Sequence, residues 1–413
     1  MANFNPSQLI QLAQQHGTPL WVYDASIIHQ RIAQLRNFDV VRYAQKACSN
    51  IHILKLMRAE GAVVDAVSLG EIERSLAAGF SPEGEPEGIV FTADLIDQPT
   101  LAAVLRHRIT VNAGSLDMLD RIGQHAPGHR VWLRINPGFG HGHSNKTNTG
   151  GEHSKHGIWF TDVPRAIEIV RRHGLKLVGL HMHIGSGVDY DHLARVCGSM
   201  VEAVKGLGHD IEAISAGGGL SVPYNDGDPD INVDHYFNLW DAARKQIEEH
   251  VGHAIRIEIE PGRFLLAESG ALIGEVHAVK QTPSHNFVLA DAGFNDLMRP
   301  ALYGSYHDIT VLAADASALS ARRLVPVAVA GPLCEAGDVF TQAPGGMVTS
   351  RLMPEPQVGD LLMFHNAGAY GAAMSSNYNS RPLAPEVLLE HGTPRLIRRR
   401  QTMGELLALE DVS

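Results

Sequence analysis

Cysteine is scarce in this chain: Cys48, Cys197 and Cys334 are the three among 413 residues. They are scattered, odd in number and without CxxC spacing, which argues against a disulfide framework and a thiolate metal site. Positive charge is also in short supply. The 34 Lys and Arg against 45 Asp and Glu leave a net charge of -11. Neither a nucleic acid nor a membrane surface is therefore an expected partner, since both need a basic face. No apolar run is long enough to cross a bilayer. The opening MANFNPSQLIQLAQQHG has neither a basic n-region nor an apolar h-region, so no signal peptide is expected. These absences predict a cytoplasmic protein. What is present, 44% hydrophobic and 19% charged residues, suits an ordinary globular chain of two to three domains.

Apolar strand-like runs alternate with helical patterns over the first two-thirds of the chain. The runs are VVRYAQ (40–45), AVVDAVS (62–68), GIVFTA (88–93), ITVNAGS (109–115), RVWLRIN (130–136), LVGLHMHIG (177–185), IEAISAGGG (211–219) and IRIEIEPG (255–262). Helices between them carry start and stop signals. Ser68 and Glu71 have capping-box spacing, and DVPRAIEIVRRHG ends on basic residues and Gly174. Eight strand–helix units imply parallel pairing and a closed (β/α)8 barrel of the TIM type, placed at 31–269. After about residue 270 the pattern turns to short strands and turns, such as NFVLADAG, RLVPVAVAGP and GDLLMFHNAG. This predicts a mainly antiparallel C-terminal β domain over 270–413. The strand-like PLWVYDAS near the N-terminus is assigned, with residues 1–30, to that β domain.

Active sites of such barrels form at the C-terminal ends of the strands, with phosphate often held after strands seven and eight. Strand seven here ends in Gly217, Gly218 and Gly219; strand eight ends in Glu260, Pro261, Gly262 and Arg263. Three glycines alone read as a tight turn. Paired with an arginine, they fit a phosphate cradle better. Lys46 ends strand one on the same rim. A buried lysine there suggests a Schiff-base amine, the alternative being a lysine that snorkels to water. Glu260 shares a face with Arg256 and Glu258; it could keep a pyridinium nitrogen protonated, or serve as an ion-pair partner inside the barrel. The pairs HGH (141–143) and HMH (181–183) look like metal ligands, yet no carboxylate or cysteine completes either, so no metal is expected. His183 is better placed as an imidazole lying against a planar ring. The RRR at 398–400 reads as a solvated face.

The stretches YAQKACSN, GLHMHIGSG, AGGGLSVPY, IEPGRF, DAGFNDLMRPALYG, AGPLCEAGD and GAYGAAMSSNYNSRP occur in order from about residue 20 to 410. They resemble the motifs of the diaminopimelate decarboxylase family, within the alanine-racemase-like, fold-type III pyridoxal-phosphate decarboxylases. The resemblance implies pyridoxal 5'-phosphate as cofactor, with Lys46 as the lysine that carries it. It implies His183 stacked on the ring and Ser186, Gly217 to Gly219 and Arg263 on the phosphate. Glu260 then faces the ring nitrogen, with Pro261 and Gly262 beside it, and Arg134 sits near the phenolic oxygen. Tyr370 touches cofactor and substrate, while Arg263, Arg299, Tyr303 and Glu335 bind substrate. Cys334 is the acid that returns a proton to carbon. The family's site forms in a homodimer, the Cys334–Glu335 loop being supplied by the neighbouring subunit. Local departures are SKHG (154–157) where SKFG is more usual, SVPY after the glycines, and the histidine-rich GFGHGHSNKTNTGGEH.

The implied reaction is decarboxylation of meso-2,6-diaminopimelate to lysine, the last step of lysine biosynthesis. A distal carboxylate on the substrate needs a cation, and Arg299 with Tyr303 offers a charged fork and a hydroxyl. Glu335 suits the distal ammonium. The alternatives within the fold are decarboxylases of ornithine, arginine or carboxynorspermidine; Arg299 followed by Tyr303 argues against the first two. A catalytically dead homologue would be expected to lack Lys46 or Cys334, and a cofactor-free Schiff-base aldolase would have no use for Glu260 or Cys334.

Overall fold

The computed structural model describes residues 4–140, 149–183, 185, 189–225, 227–313, 319–343 and 345–411. By internal contacts the chain falls into two compact units. One comprises 31–222 and 229–264; the other comprises 1–30, 223–228 and 265–413. The short piece 223–228, which follows the triple glycine, thus clusters with the second unit.

Strand β1 (Leu20–Asp24) opens the chain's strands and belongs to the second unit. The first unit is the barrel. Its eight strands among the described residues are β2 (Val40–Ala44), β3 (Val63–Ala66), β4 (Ile89–Ala93), β5 (Thr110–Ala113), β6 (Arg130–Asn136), β8 (Lys176–His181), β9 (Ala213–Ser215) and β10 (Arg256–Ile259). All neighbours run parallel, and the β10–β2 pairing closes the ring. A two-residue strand, β7 (Ile158–Trp159), adds to the end of β6 outside that ring.

Local chemistry starts and stops the crossover helices. Helix Leu69–Ala77 is capped by Ser68, whose hydroxyl accepts from Glu71 N. The reciprocal arm reaches one residue further than a capping box: Glu71 Oε2 accepts from Val67 N at 2.9 Å. Helix Val163–His173 stops at Gly174, whose φ of 61° is the left-handed cap a glycine adopts without steric cost.

The barrel strands end sooner than the apolar runs do. β8 stops at His181, β9 at Ser215 and β10 at Ile259, so His183, the three glycines and Glu260–Gly262 all leave the ladder. One backbone bond continues beyond the strands, Glu260 N donating to Gly217 O at 2.8 Å, and these residues lie at the C-terminal strand ends, which is where barrel chemistry sits.

In the second unit, β11 (Gly270–Gln281), β12 (Asn286–Ala290), β13 (Ile309–Leu312), β14 (Leu324–Ala330), β15 (Arg351–Pro354), β16 (Leu361–Phe364), β17 (Glu386–Glu390) and β18 (Thr393–Arg398) form one mixed sheet with β1. β1 runs antiparallel to β11 and parallel to β17. Its core includes Leu20, Val22, Ile273, Met363 and Val387, with Leu9 and Leu12 of helix Pro6–His16 laid over them. Asn5 caps that helix and Pro6 opens it. No helix among the described residues is long and apolar enough to cross a membrane.

Candidate active site

At the barrel mouth, β2 ends and the chain tightens into a 3-10 turn, Gln45–Ala47. Gln45 is buried and its amide donates to Ser75 Oγ at 2.7 Å; Ala47 is buried on the other side. Lys46, between these two anchors, is exposed. This corrects the expectation of a buried lysine. The Lys46 side chain therefore reaches solvent, with its charge felt by Asp65 and His183. Ala44 N donates to Pro261 O at 3.1 Å, tying this rim to the turn after β10.

Glu260 is 9% exposed and sits at the centre of a polar cluster. Its Oε2 lies 2.8 Å from His181 Nε2, and its Oε1 accepts from Ser215 Oγ at 3.0 Å. Three consecutive strands, β8, β9 and β10, thus converge on one carboxylate. Burial alone would raise that carboxyl, but the charge and hydrogen bond of His181, then Arg42 and Ser215, outweigh it and pull it down to about 2. Asp65, 3% exposed on β3, behaves oppositely. Burial and the Glu260 carboxylate push it up to about 8, against a hydrogen bond to Thr92 and the charge of Lys46. Arg134 from β6 is buried beside the same acids. Burial lowers its pKa, and Asp94, Glu260 and Asp65 oppose the drop.

His183 lies just past β8, against the triple glycine. A Cβ on Gly217 would fall 2.6 Å from His183 Cβ, one on Gly218 2.6 Å from Glu260 O, and one on Gly219 2.4 Å from Gly185 O. The φ angles of 61° at Gly217 and 110° at Gly219 add a second reason for glycine. Burial, then the charges of Arg134 and Lys46, hold the His183 imidazole well below the usual histidine range, so the ring is neutral. Its buried Nδ1 has no hydrogen-bond partner among the described residues. Thr149 Oγ1 donates to His183 O at 3.0 Å and fixes the backbone there. The unusual His156 is also accounted for: its Nδ1 meets Asp94 Oδ2, while Asp94 Oδ1 accepts from Gly157 N at 2.8 Å.

The other expected residues lie in the second unit, on separate segments. Arg299 and Tyr303 occupy the one-turn helix Arg299–Tyr303, four apart and so on one side of it. Arg299 is buried and Tyr303 half-buried. Cys334 and Glu335 are exposed on a loop, with Cys334 N donating to Asn379 Oδ1 at 2.8 Å. Behind that loop, buried Asp338 accepts from Leu333 N at 2.8 Å and Phe294 N at 2.7 Å. Of the three thiols only Cys334 is exposed; burial pushes Cys197 up to about 12. Tyr370 is half-buried with a φ of 57°. Ser186 and the histidine pair 141–143 lie outside the described residues.

The family model described as pyridoxal-dependent decarboxylase, pyridoxal binding domain, matches residues 25–267. A diaminopimelate decarboxylase of Escherichia coli strain K12 is 65% identical over 402 residues, 97% of this chain and 96% of that protein. The chain belongs to the diaminopimelate decarboxylase family. A crystal structure of a diaminopimelate decarboxylase superposes with a TM-score of 0.97 at 64% identity, covering 99% of this chain and 97% of that one. Another, from Helicobacter pylori and complexed with L-lysine, gives 0.85 at 32% identity over 98% and 99% of the two chains.

A diaminopimelate decarboxylase uses pyridoxal phosphate, and the barrel mouth fits that group on three observations. A cradle of backbone is kept open where any Cβ would collide. The neutral His183 ring stands against that cradle. An ionised carboxylate, Glu260, waits in the floor. Sequence reasoning missed Asp65, Ser215 and the His181 contact. The signal for two of them was present: Asp65 in AVVDAVS and His181 in LVGLHMH are polar residues at alternate positions of apolar strands, the register that faces a barrel interior.

Proposed function

We propose that the chain decarboxylates meso-2,6-diaminopimelate to L-lysine and carbon dioxide, as a cytoplasmic homodimer. The observation that carries this reading is the 65% identity to a protein of that name across 97% of the chain. The ionised Glu260 at the barrel mouth supports it chemically.

Bound pyridoxal phosphate supplies the electron sink for the pair released when the carbon–carboxylate bond breaks. Lys46, Arg134, His183, Ser186, Gly217 to Gly219, Pro261, Gly262, Arg263 and Tyr370 would hold it. Glu260 does the decisive electrostatic work. Its carboxylate stays ionised through His181 and Ser215, so it would stabilise a proton on the group's ring nitrogen. Neutral His183 would hold the group without adding a competing charge. Lys46, exposed on its turn, would be the lysine that holds the group and yields it to the substrate amine. In the second unit Arg299 and Tyr303 take the distal carboxylate, Glu335 the distal ammonium, and Cys334 Sγ–H returns a proton to the carbon that lost carbon dioxide. In this reading the Cys334–Glu335 loop serves the barrel of the neighbouring subunit.

The test is carbon dioxide release from meso-diaminopimelate beside L-ornithine and L-arginine, with and without pyridoxal phosphate. Cofactor-dependent release from diaminopimelate alone is the expected result. Release mainly from ornithine or arginine would keep the cofactor and overturn the substrate.

A further inference from the structure

Arg299 is buried at 4% exposure, where a long cation needs a fixed partner to hold one direction. Two neutral side chains contribute to it. Arg299 Nη1 lies 2.9 Å from His307 Nε2. Tyr224 presents its ring face to the guanidinium, 4.7 Å from centroid to Cζ. The rings of Tyr224 and His307 meet edge to face at 5.5 Å, so the three side chains form one packed set.

The His307 tautomer follows from its two contacts. A guanidinium can only donate, so Nε2 accepts. Nδ1 lies 2.8 Å from His365 O and therefore carries the proton. That carbonyl is itself placed by the sheet: β13 and β16 pair Ile309 with Phe364, and His365 N donates to Asp308 O at 2.9 Å. Arg351 donates to His307 O and fixes its backbone. The orientation of Arg299 is thus built from strand register inward through a buried ring, 2% exposed. A neutral acceptor at this position steers the guanidinium through a hydrogen bond that brings no opposing charge of its own.

We infer that His307 and Tyr224 are positioning residues that aim Arg299 at the distal carboxylate, and so set the preference for ligands that carry one. The inference rests on the substrate reading above. Decarboxylation at one end leaves the other amino-carboxylate intact, so L-lysine keeps the group that Arg299 recognises. The compound 1,5-diaminopentane has both amines and lacks it.

The experiment titrates the holoenzyme with each of these two ligands by calorimetry, in wild type, His307→Ala, His307→Gln and Tyr224→Leu. Loss of the acceptor leaves a buried donor unpaired, so His307→Ala weakens L-lysine roughly 10- to 100-fold. Tyr224→Leu weakens it roughly 3- to 10-fold. His307→Gln, whose amide oxygen accepts, restores most of the loss. Binding of 1,5-diaminopentane stays at the wild-type value in every variant. In turnover of meso-diaminopimelate the same changes raise KM more than they lower kcat. Equal weakening of both ligands, or unchanged lysine binding in His307→Ala and Tyr224→Leu, overturns the positioning role. Wild type that ignores diaminopimelate overturns the substrate reading, and this inference falls with it.

Discussion

Arg42 and Glu258 are each 1% exposed inside the barrel, and the arginine reaches one carboxylate oxygen through Nε at 3.0 Å and Nη2 at 2.8 Å. Arg256 takes the other oxygen at 2.9 Å, and Arg42 also donates to Glu87 O. In the sheet of the second unit, the equivalent depth is occupied by Leu20, Val22, Leu272, Ile273 and Val387, all fully buried. There Arg299, Cys334 and Glu335, the side chains proposed to meet substrate, sit on a short helix and a loop, off the strands. A closed ring of parallel strands satisfies its own backbone and leaves an interior that charged side chains from facing strands can fill in pairs. An open mixed sheet has an apolar face to cover, so its chemistry moves to the connections. In the second unit, side chains such as His307 and Asp338 brace those connections.

The largest expected effects are on turnover. Cys334→Ala should lower kcat on diaminopimelate by roughly 10²- to 10⁴-fold, the range for loss of a proton donor, with little change in thermal midpoint because the side chain is exposed. Breaking the barrel's inner ion pair comes next. Arg42→Met removes one of the two arginines on the buried Glu258 carboxylate, leaving it paired with Arg256, and should cost up to roughly 3 kcal/mol in denaturant unfolding. The sheet should respond to a cavity instead: Leu272→Ala is expected to cost roughly 2–5 kcal/mol. If Arg42→Met were silent while Leu272→Ala were severe, the contrast between the two interiors would fail.

A smaller effect appears in the pH profile of stability. Asp65 is raised from 3.8 to about 8, so the folded state holds a proton the unfolded chain has already released. Stability from this group falls as pH rises through that window. Glu260 has the opposite sign: it is lowered from 4.5 to about 2, so its contribution is present above 4.5 and lost as pH falls toward 2. Asp65→Asn should therefore melt close to wild type near pH 4 and progressively above it as pH rises, by a few degrees at pH 8.5. The smallest effect belongs to the surface: Arg399→Ala, which breaks an exposed pair with Glu405, should leave the melting midpoint unchanged.

Much of the fold could be read from alternation. IRIEIEPG separates Ile257 and Ile259 from Glu258 and Glu260, and each set lies where a barrel strand would put it. The runs overshot at IEAISAGGG and LVGLHMHIG because small or apolar residues continue past the last ladder bond, and hydrophobicity does not record where pairing stops. Lys46 illustrates a different limit. Its position at the end of β2 was legible, but its exposure depends on Gln45 reaching Ser75, a contact 30 residues away in the chain. Asp65 and His181 looked like any polar residue in a strand until the register of neighbouring strands aimed them at Glu260. Cys334 and Glu335 entered through motif resemblance alone, since nothing in a short exposed loop singles out a thiol for the role proposed for it.

The central claim is that the barrel mouth sets the chemistry through an ionised Glu260, while the second unit reads the distal end of the substrate. Its most direct test is Glu260→Gln, measured for kcat on meso-diaminopimelate and for L-lysine affinity of the holoenzyme. A fall in kcat of roughly 10²- to 10³-fold, with lysine binding within about threefold of wild type, is the predicted result. Undiminished kcat in a folded, cofactor-loaded variant would contradict it.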